Sequence, residues 1–168
     1  MPRILVPIGD CAVSRAVMRH VLRRAVNSPG LEVHLLNVQP SLSHDISRFV
    51  AKSVRDDFHN DEARTALRPA QEQLDAAGIP YVAHMAVGDL ATCITETAQR
   101  LRCDTILMGA SRKDALSRLV EYSVSGKVLE LTTIPVEFIP GEPASKWDRY
   151  GTPAVLAGLV AMLLAVVD

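Results

Sequence analysis

The sequence predicts an α/β fold: a five-stranded parallel open sheet with helices on both faces, followed by an apolar C-terminal helix. Three observations lead there. Short β-branched runs alternate with segments of helical period from Ile4 to Ile139, an order that calls for crossover connections and parallel strands. Breaks at Gly9-Asp10, Gly88-Asp89 and Gly109 end strand-like runs ahead of helical ones, as at the strand-to-helix turns of open sheets. After Pro140 the composition shifts to a Gly-, Pro- and Ser-bearing stretch and then to an uncharged one. The division that follows is a domain over 1–140, a linker over 141–149 and a hydrophobic helix over 150–168.

Taken in order, Ile4 to Ile8 is a compact apolar run suited to a strand buried on both faces. Gly9 and Asp10 break it, with Asp10 as the natural N-cap of a helix from about Cys11 to Val26. In that helix Val13, Ala16, Val17, Val21 and Ala25 share a face, and Arg15, Arg19, Arg23 and Arg24 point mostly away. Ser28-Pro29-Gly30 is a turn, and Leu31 to Val38 is the second strand. Ser41 to Asn60 reads as a loop with a helical piece. Asp61 to Ala77 is the next helix, with Gly78 in the place a C-cap prefers and Pro69 set to kink it or mark its start.

Ile79 to Val87 is the third strand. Asp89 caps a helix to Leu101 with an apolar face of Leu90, Ile94, Ala98 and Leu101. Thr105 to Met108 is the fourth strand, Ser123 to Leu131 a helix, and Ile134 to Ile139 the fifth strand.

The stretch from Cys103 to Lys127 organises the functional reading. Its strand stops at Gly109 and passes into a polar loop holding Arg112, Lys113 and Arg118 before the helix resumes. Such a loop is a candidate phosphate cradle, because a glycine admits a ligand to the backbone and a helix start offers unpaired N–H groups. Ligands of open sheets lie beyond the carboxyl ends of the strands, where strand order reverses. That rule gathers Pro7 to Asp10, Val38 to Gln39 and Met108 to Arg112 at one crevice.

Composition removes other classes. Of 168 residues the net charge is −1 and only 4% are aromatic. No basic block of nucleic-acid type appears, so no nucleic acid partner is expected. Cys11, Cys93 and Cys103 lack C-x-x-C spacing and read as reduced core thiols. His20, His34, His44, His59 and His84 show no ligand spacing, so no metal is expected. His34 and His84 fall in strands, where a core or sheet-face role is expected. No serine stands in a nucleophile-elbow pattern and no residue is placed as a base, so catalysis is not expected. The N-terminus enters a strand-like run almost at once, unlike a signal peptide.

From Met1 to about Pro140 the chain resembles the universal stress protein family. The matching pieces are ILVPI, LEVHLLNV, DAAGIPYVAHMAVGD, LATCITETAQRL, CDTILMG and SVSGKVLELTTIPVEFI, in that order. The resemblance implies a Rossmann-like sheet and dimerisation through the last strand, here Ile134 to Ile139. Family members that bind ATP resemble one another in a glycine, two residues, a second glycine, nine residues, then glycine and Ser or Thr. Gly109 and Ser123 hold the first and last of these places, with Val124 and Ser125 also fitting, while Arg112 and Tyr122 replace the second and third glycines. An aspartate that binders carry after the first strand corresponds to Gly9, with Asp10 one place on. A nucleotide, ATP or AMP, would therefore lie among Pro7, Gly9, Asp10, Val38, Gly109, Arg112, Ser123, Val124 and Ser125. With two glycines replaced, a basic solvated loop and no cofactor is the reading preferred here.

The tail differs in kind. From Tyr150 to Val167 no residue is charged, roughly 18 residues or about 27 Å of helix, near the short limit for crossing a bilayer core. Lys146 and Arg149 precede it, with Trp147 and Tyr150 at the would-be interface. Ala154 to Val167 thus suits a membrane anchor, or a contact with an integral membrane protein, with the domain on the cytoplasmic side. Two functional readings result. The first is a non-catalytic regulatory or accessory subunit tethered to the inner membrane beside an integral membrane complex or transporter. The alternative is a soluble dimeric regulator that binds ATP or AMP.

Overall fold

The computed structural model describes residues 1–9, 13–41, 51–110 and 124–140. Five parallel strands, β1 (Arg3–Pro7), β2 (Glu32–Gln39), β3 (Tyr81–Val87), β4 (Thr105–Ala110) and β5 (Val136–Pro140), form one sheet in the order β3-β2-β1-β4-β5. The helices are α1 (Val13–Asn27), α2 (Lys52–Ala76), α3 (Leu90–Arg100) and α4 (residues 124–131). The expected five-stranded parallel sheet is what the chain forms. The apolar C-terminal helix lies outside the described residues, and among those residues no helix is long and apolar enough to cross a membrane.

Central strands are buried on both faces, which is why β1 and β2 read as continuous apolar runs. On one face Ile4, Val6, Val33, Leu35 and Leu107 pack under Val17, Met18 and Val21 of α1 and Leu67, Ala70 and Leu74 of α2. On the other, Leu5, Leu36, Ile106 and Met108 pack under Ala91, Ile94 and Ala98 of α3 and Val128 of α4. β3 is an edge strand, and Val82, Met85 and Val87 remain exposed along it.

α2 and α3 end in the same motif. At α2, the Gly78 N–H donates to the Asp75 carbonyl and the Ile79 N–H to the Leu74 carbonyl, with Gly78 at φ +65°. At α3, the Arg102 N–H donates to Gln99 and the Cys103 N–H to Ala98, but here the left-handed residue is Arg102 at φ 53°. These paired bonds satisfy carbonyls that the helix itself leaves open.

Several boundaries differ from expectation. α2 starts at Lys52, nine residues before the predicted Asp61, and Ala51 supplies no side-chain cap. Pro69 neither starts α2 nor ends it. The ring is exposed, so the carbonyl it leaves unpaired can meet water, while Ala63, Leu67, Ala70 and Leu74 hold the opposite stripe in the core. In α3 the buried set is Ala91, Ile94, Thr95, Thr97 and Ala98, and Leu90 is exposed in the first turn. β4 does not stop at Gly109: it runs on to Ala110 because β5 supplies partners, Ile139 for Gly109 and Pro140 for Ala110. β5 begins at Val136 and not at Ile134, since pairing with β4 starts at Ile106–Val136.

Candidate functional site

Strand order sets the site. β1 connects to β2 on one side, and the chain later returns to place β4 on the other, so connections diverge at the β1–β4 seam. β1 and β4 pair at Ile4–Thr105 and Leu5–Ile106, a shorter ladder than the one from Arg3–Glu32 to Pro7–Leu36 that joins β1 to β2. In open sheets the place for a ligand is at the carboxyl ends of the strands, where the connections diverge.

Of the predicted site residues, Pro7 ends β1, Gly9 follows it, Val38 lies near the end of β2, and Gly109 lies near the end of β4. Parallel pairing puts all four at the same end of the sheet. Val124 and Ser125 open the described part of α4, and Val124 joins Val38 against the same core cluster. Asp10, Arg112 and Ser123 lie outside the described residues, as do Lys113, Arg118 and Tyr122.

Neither Gly9 nor Gly109 adopts positive φ, which among the described glycines is confined to Gly30, Gly78 and Gly88. Left-handed backbone is therefore not the reason for glycine at these two positions. Space is the feature at Gly9: a Cβ built there meets no atom of the described residues within 4 Å.

The sequence reading missed Asn37. It is 4% exposed, donates from Nδ2 to the Ile8 carbonyl at 2.9 Å, and accepts at Oδ1 from Gln39 Nε2 at 2.7 Å. Together with the Ile8 N–H bond to the Leu36 carbonyl, it fixes the chain where β1 leaves the sheet for Gly9. Its signal was visible: one amide inside the apolar run LEVHLLNV, which a buried strand tolerates only when the amide is bonded.

Asp89 was foreseen as the cap of α3 and does more. Its Oδ2 accepts from the Thr92 N–H at 3.0 Å and from Thr92 Oγ1 at 2.8 Å, while Oδ1 meets Lys127 Nζ of α4 at 3.0 Å. The Thr92 backbone N–H first, then Lys127, pull its carboxyl down to about 2. Because Asp89 lies two residues past the end of β3, this pair places the first turns of α4 beside the carboxyl end of the sheet.

Cys93 and Cys103 are poor nucleophiles. Burial, reinforced by Asp104, pushes Cys103 up to about 11, and burial likewise raises Cys93. His34 and His84, expected as core or sheet-face residues, are brought against each other across the β2–β3 ladder. Among the described residues no group of three or more His, Cys, Asp or Glu could hold a metal ion.

The sequence model of the universal stress protein family matches residues 1–140. The chain belongs to the universal stress protein family. Solved universal stress proteins share its fold. One from Lactobacillus plantarum is 19% identical at a TM-score of 0.66, covering 82% of this chain and 97% of its own. One from Burkholderia pseudomallei is 19% identical at 0.63, covering 82% and 95%. A family protein from Arabidopsis thaliana, solved with AMP bound, is 16% identical at 0.60, covering 86% and 97%. A further universal stress protein, in complex with cAMP, is 17% identical at 0.57, covering 84% and 98%. No curated protein matches the chain.

Proposed function

We propose that this universal stress protein is a non-catalytic regulator whose crevice at the ends of β1, β2 and β4 takes an adenine nucleotide. The observation that carries the reading is the space that the described residues leave beside Gly9 at the reversal of strand order. Solved family members hold AMP and cAMP, which supports the same ligand class at the level of fold. Pro7, Gly9, Val38, Gly109, Val124 and Ser125 offer no group that titrates near neutrality, in keeping with binding and not turnover. Arg112 in place of a glycine would recognise phosphate by its guanidinium, at the expense of the close backbone approach. β5 is an edge strand with Phe138 exposed beside it, in keeping with a homodimer through that strand.

Calorimetry on the full chain with ATP, AMP and cAMP tests the reading. Saturable binding at or below about 1 mM (a standard free energy near −4 kcal/mol) supports it. No heat with any of the three at several times that concentration removes it. An Arg112→Gly, Tyr122→Gly variant is expected to bind more tightly, because it restores the two missing glycines.

A second reading concerns where the protein works, and Tyr150 to Val167 favours it. An uncharged run of that length supports a cytoplasmic domain tethered to the inner membrane as an accessory of an integral membrane complex. Fractionation decides: recovery of the full chain in the soluble fraction without detergent would count against tethering.

A further inference from the structure

Two amides meet at the end of β2 with a fixed polarity. Asn37 and Gln39 lie two residues apart on that strand and so share one face of the sheet. Asn37 is buried, and its Nδ2 donates at 2.9 Å to the Ile8 carbonyl, the oxygen of the peptide that leads into Gly9. A carbonyl only accepts, so the Asn37 amide has one permitted orientation, nitrogen toward Ile8 and oxygen toward Gln39. Asn37 Oδ1 in turn only accepts, and Gln39 answers with Nε2 at 2.7 Å. Turning the Gln39 amide over would set two oxygens against each other. From the Ile8 carbonyl through Asn37 to Gln39, each group sets the sense of the next.

The backbone under this relay is tied down as well. The Ile8 N–H donates to the Leu36 carbonyl at 2.8 Å and the Gly88 N–H to the Gln39 carbonyl at 3.0 Å. Gln39 pairs with Val87 at the last position of the β2–β3 ladder and is half-buried there, at the carboxyl end of the sheet. Nε2 carries two hydrogens, of which one is committed to Asn37. The amide can therefore offer a ligand Oε1 as an acceptor with the second N–H beside it, in an order that cannot be exchanged.

We propose that Gln39 reads the base of the bound nucleotide and selects adenine. The inference rests on the nucleotide reading above and adds the group that makes it specific. Adenine presents an amine that donates beside a ring nitrogen that accepts, the pattern a glutamine amide pairs with in two bonds. Hypoxanthine and guanine carry an oxygen in place of that amine, and it would face Oε1 acceptor against acceptor. An amide able to turn over would suit either kind of base. One held by Asn37 suits adenine, which makes Asn37 a positioning residue acting through Gln39.

Calorimetry on the full chain with AMP and IMP tests this, since IMP differs from AMP chiefly in having oxygen where the amine stands. Native protein is expected to bind AMP about tenfold more tightly, the difference between a satisfied bond and two opposed acceptors. Gln39→Met keeps the length of the side chain without its amide and should bring the ratio close to one. Asn37→Ala keeps Gln39 but releases its amide, and should also bring the ratio toward one by admitting IMP. A merely structural defect would weaken both nucleotides alike and leave the ratio as it was. Equal affinities in the native protein, or an unchanged ratio in Gln39→Met, overturn the proposal and leave the crevice reading standing. An unchanged ratio in Asn37→Ala overturns the relay, and if that variant does not fold, Gln39→Met still decides the role of Gln39. Native protein that binds neither nucleotide removes the crevice reading and the proposal with it.

Discussion

His34 Nδ1 and His84 Nε2 lie 3.0 Å apart across the β2–β3 ladder, with ring centroids 5.2 Å apart. His34 is 8% exposed, and its Nε2 has no partner. A single proton suits this pair, since one nitrogen must donate and the other accept. Protonation of both rings removes the acceptor and sets two cations side by side in partly dry surroundings.

Acid should therefore loosen the edge strand β3. Burial first, and then neighbouring cations, hold both rings below the usual histidine range: Arg3 acts on His34, and His34 and Arg100 act on His84. Glu32 works the other way on His34 without reversing the shift. With folded values below the unfolded value of about 6.5, the unfolded chain binds more protons in the interval between them. Stability is then full above that unfolded value and declines as pH falls through the folded ones. Thermal melts from pH 8 to pH 5 should show a midpoint falling by a few degrees. A His34→Gln, His84→Gln variant should show a flatter profile over the same range. Equal slopes would remove the pair as the cause.

The two helix ends invite a paired test. Gly78 and Arg102 occupy the same place in the same motif, but only glycine is at ease there. A Cβ at Gly78 would touch none of the described residues within 4 Å, so Gly78→Ala isolates the backbone cost, about 1 kcal/mol. Arg102→Gly relieves that strain and loosens the unfolded chain, for a net gain of about 0.5 kcal/mol. Denaturant midpoints should move in opposite directions. Movement in the same direction would mean that Arg102 makes a contact worth more than its strain.

How far the sequence spoke depends on where each element takes its instructions. Gly78 and Asp89 were legible because their roles are local, a left-handed residue after a helix and a carboxylate three residues before a free N–H. The start of α2 was not, because Lys52 to Asn60 carries charges without a cap, and packing behind Ala63 and Leu67 extends the helix. The end of β4 was misread for a related reason. Gly109 looks like a terminator until β5 offers Ile139 as its partner, and that partner lies thirty residues further along the chain. At the crevice, Pro7, Gly9, Val38 and Gly109 followed from the rule about strand ends. Asn37 did not, since its value lies in a bond to Ile8 that only pairing of β1 with β2 creates.

Asn37 should prove both structural and functional. Asn37→Ala leaves the buried Ile8 carbonyl without its side-chain donor, a loss of about 1–3 kcal/mol. A midpoint lower by several degrees is expected in a chain of this size. If Asn37 also sets the course of the chain into Gly9, the variant should bind adenine nucleotide more weakly than native protein at temperatures where both are folded. An unchanged affinity would confine Asn37 to stability.

Asp89 links three elements, since it lies two residues past the end of β3, caps α3 and holds Lys127 of α4. Its carboxyl sits at about 2, below the unfolded value near 4. That stabilisation is present above the unfolded value and is lost as pH falls from about 4 toward 2. Asp89→Ala should lower the melting point at pH 7 by about 2–4 °C, as removal of a helix cap does in chains of this length. Asp89→Asn keeps a capping oxygen and gives up only the charge on Lys127, so it should recover most of the loss. Lys127→Met then separates the two roles. It leaves the cap intact and should cost little stability, because an exposed ion pair contributes little. A Lys127→Met variant as unstable as Asp89→Ala would show that the link to α4, and not the cap, is what Asp89 chiefly provides.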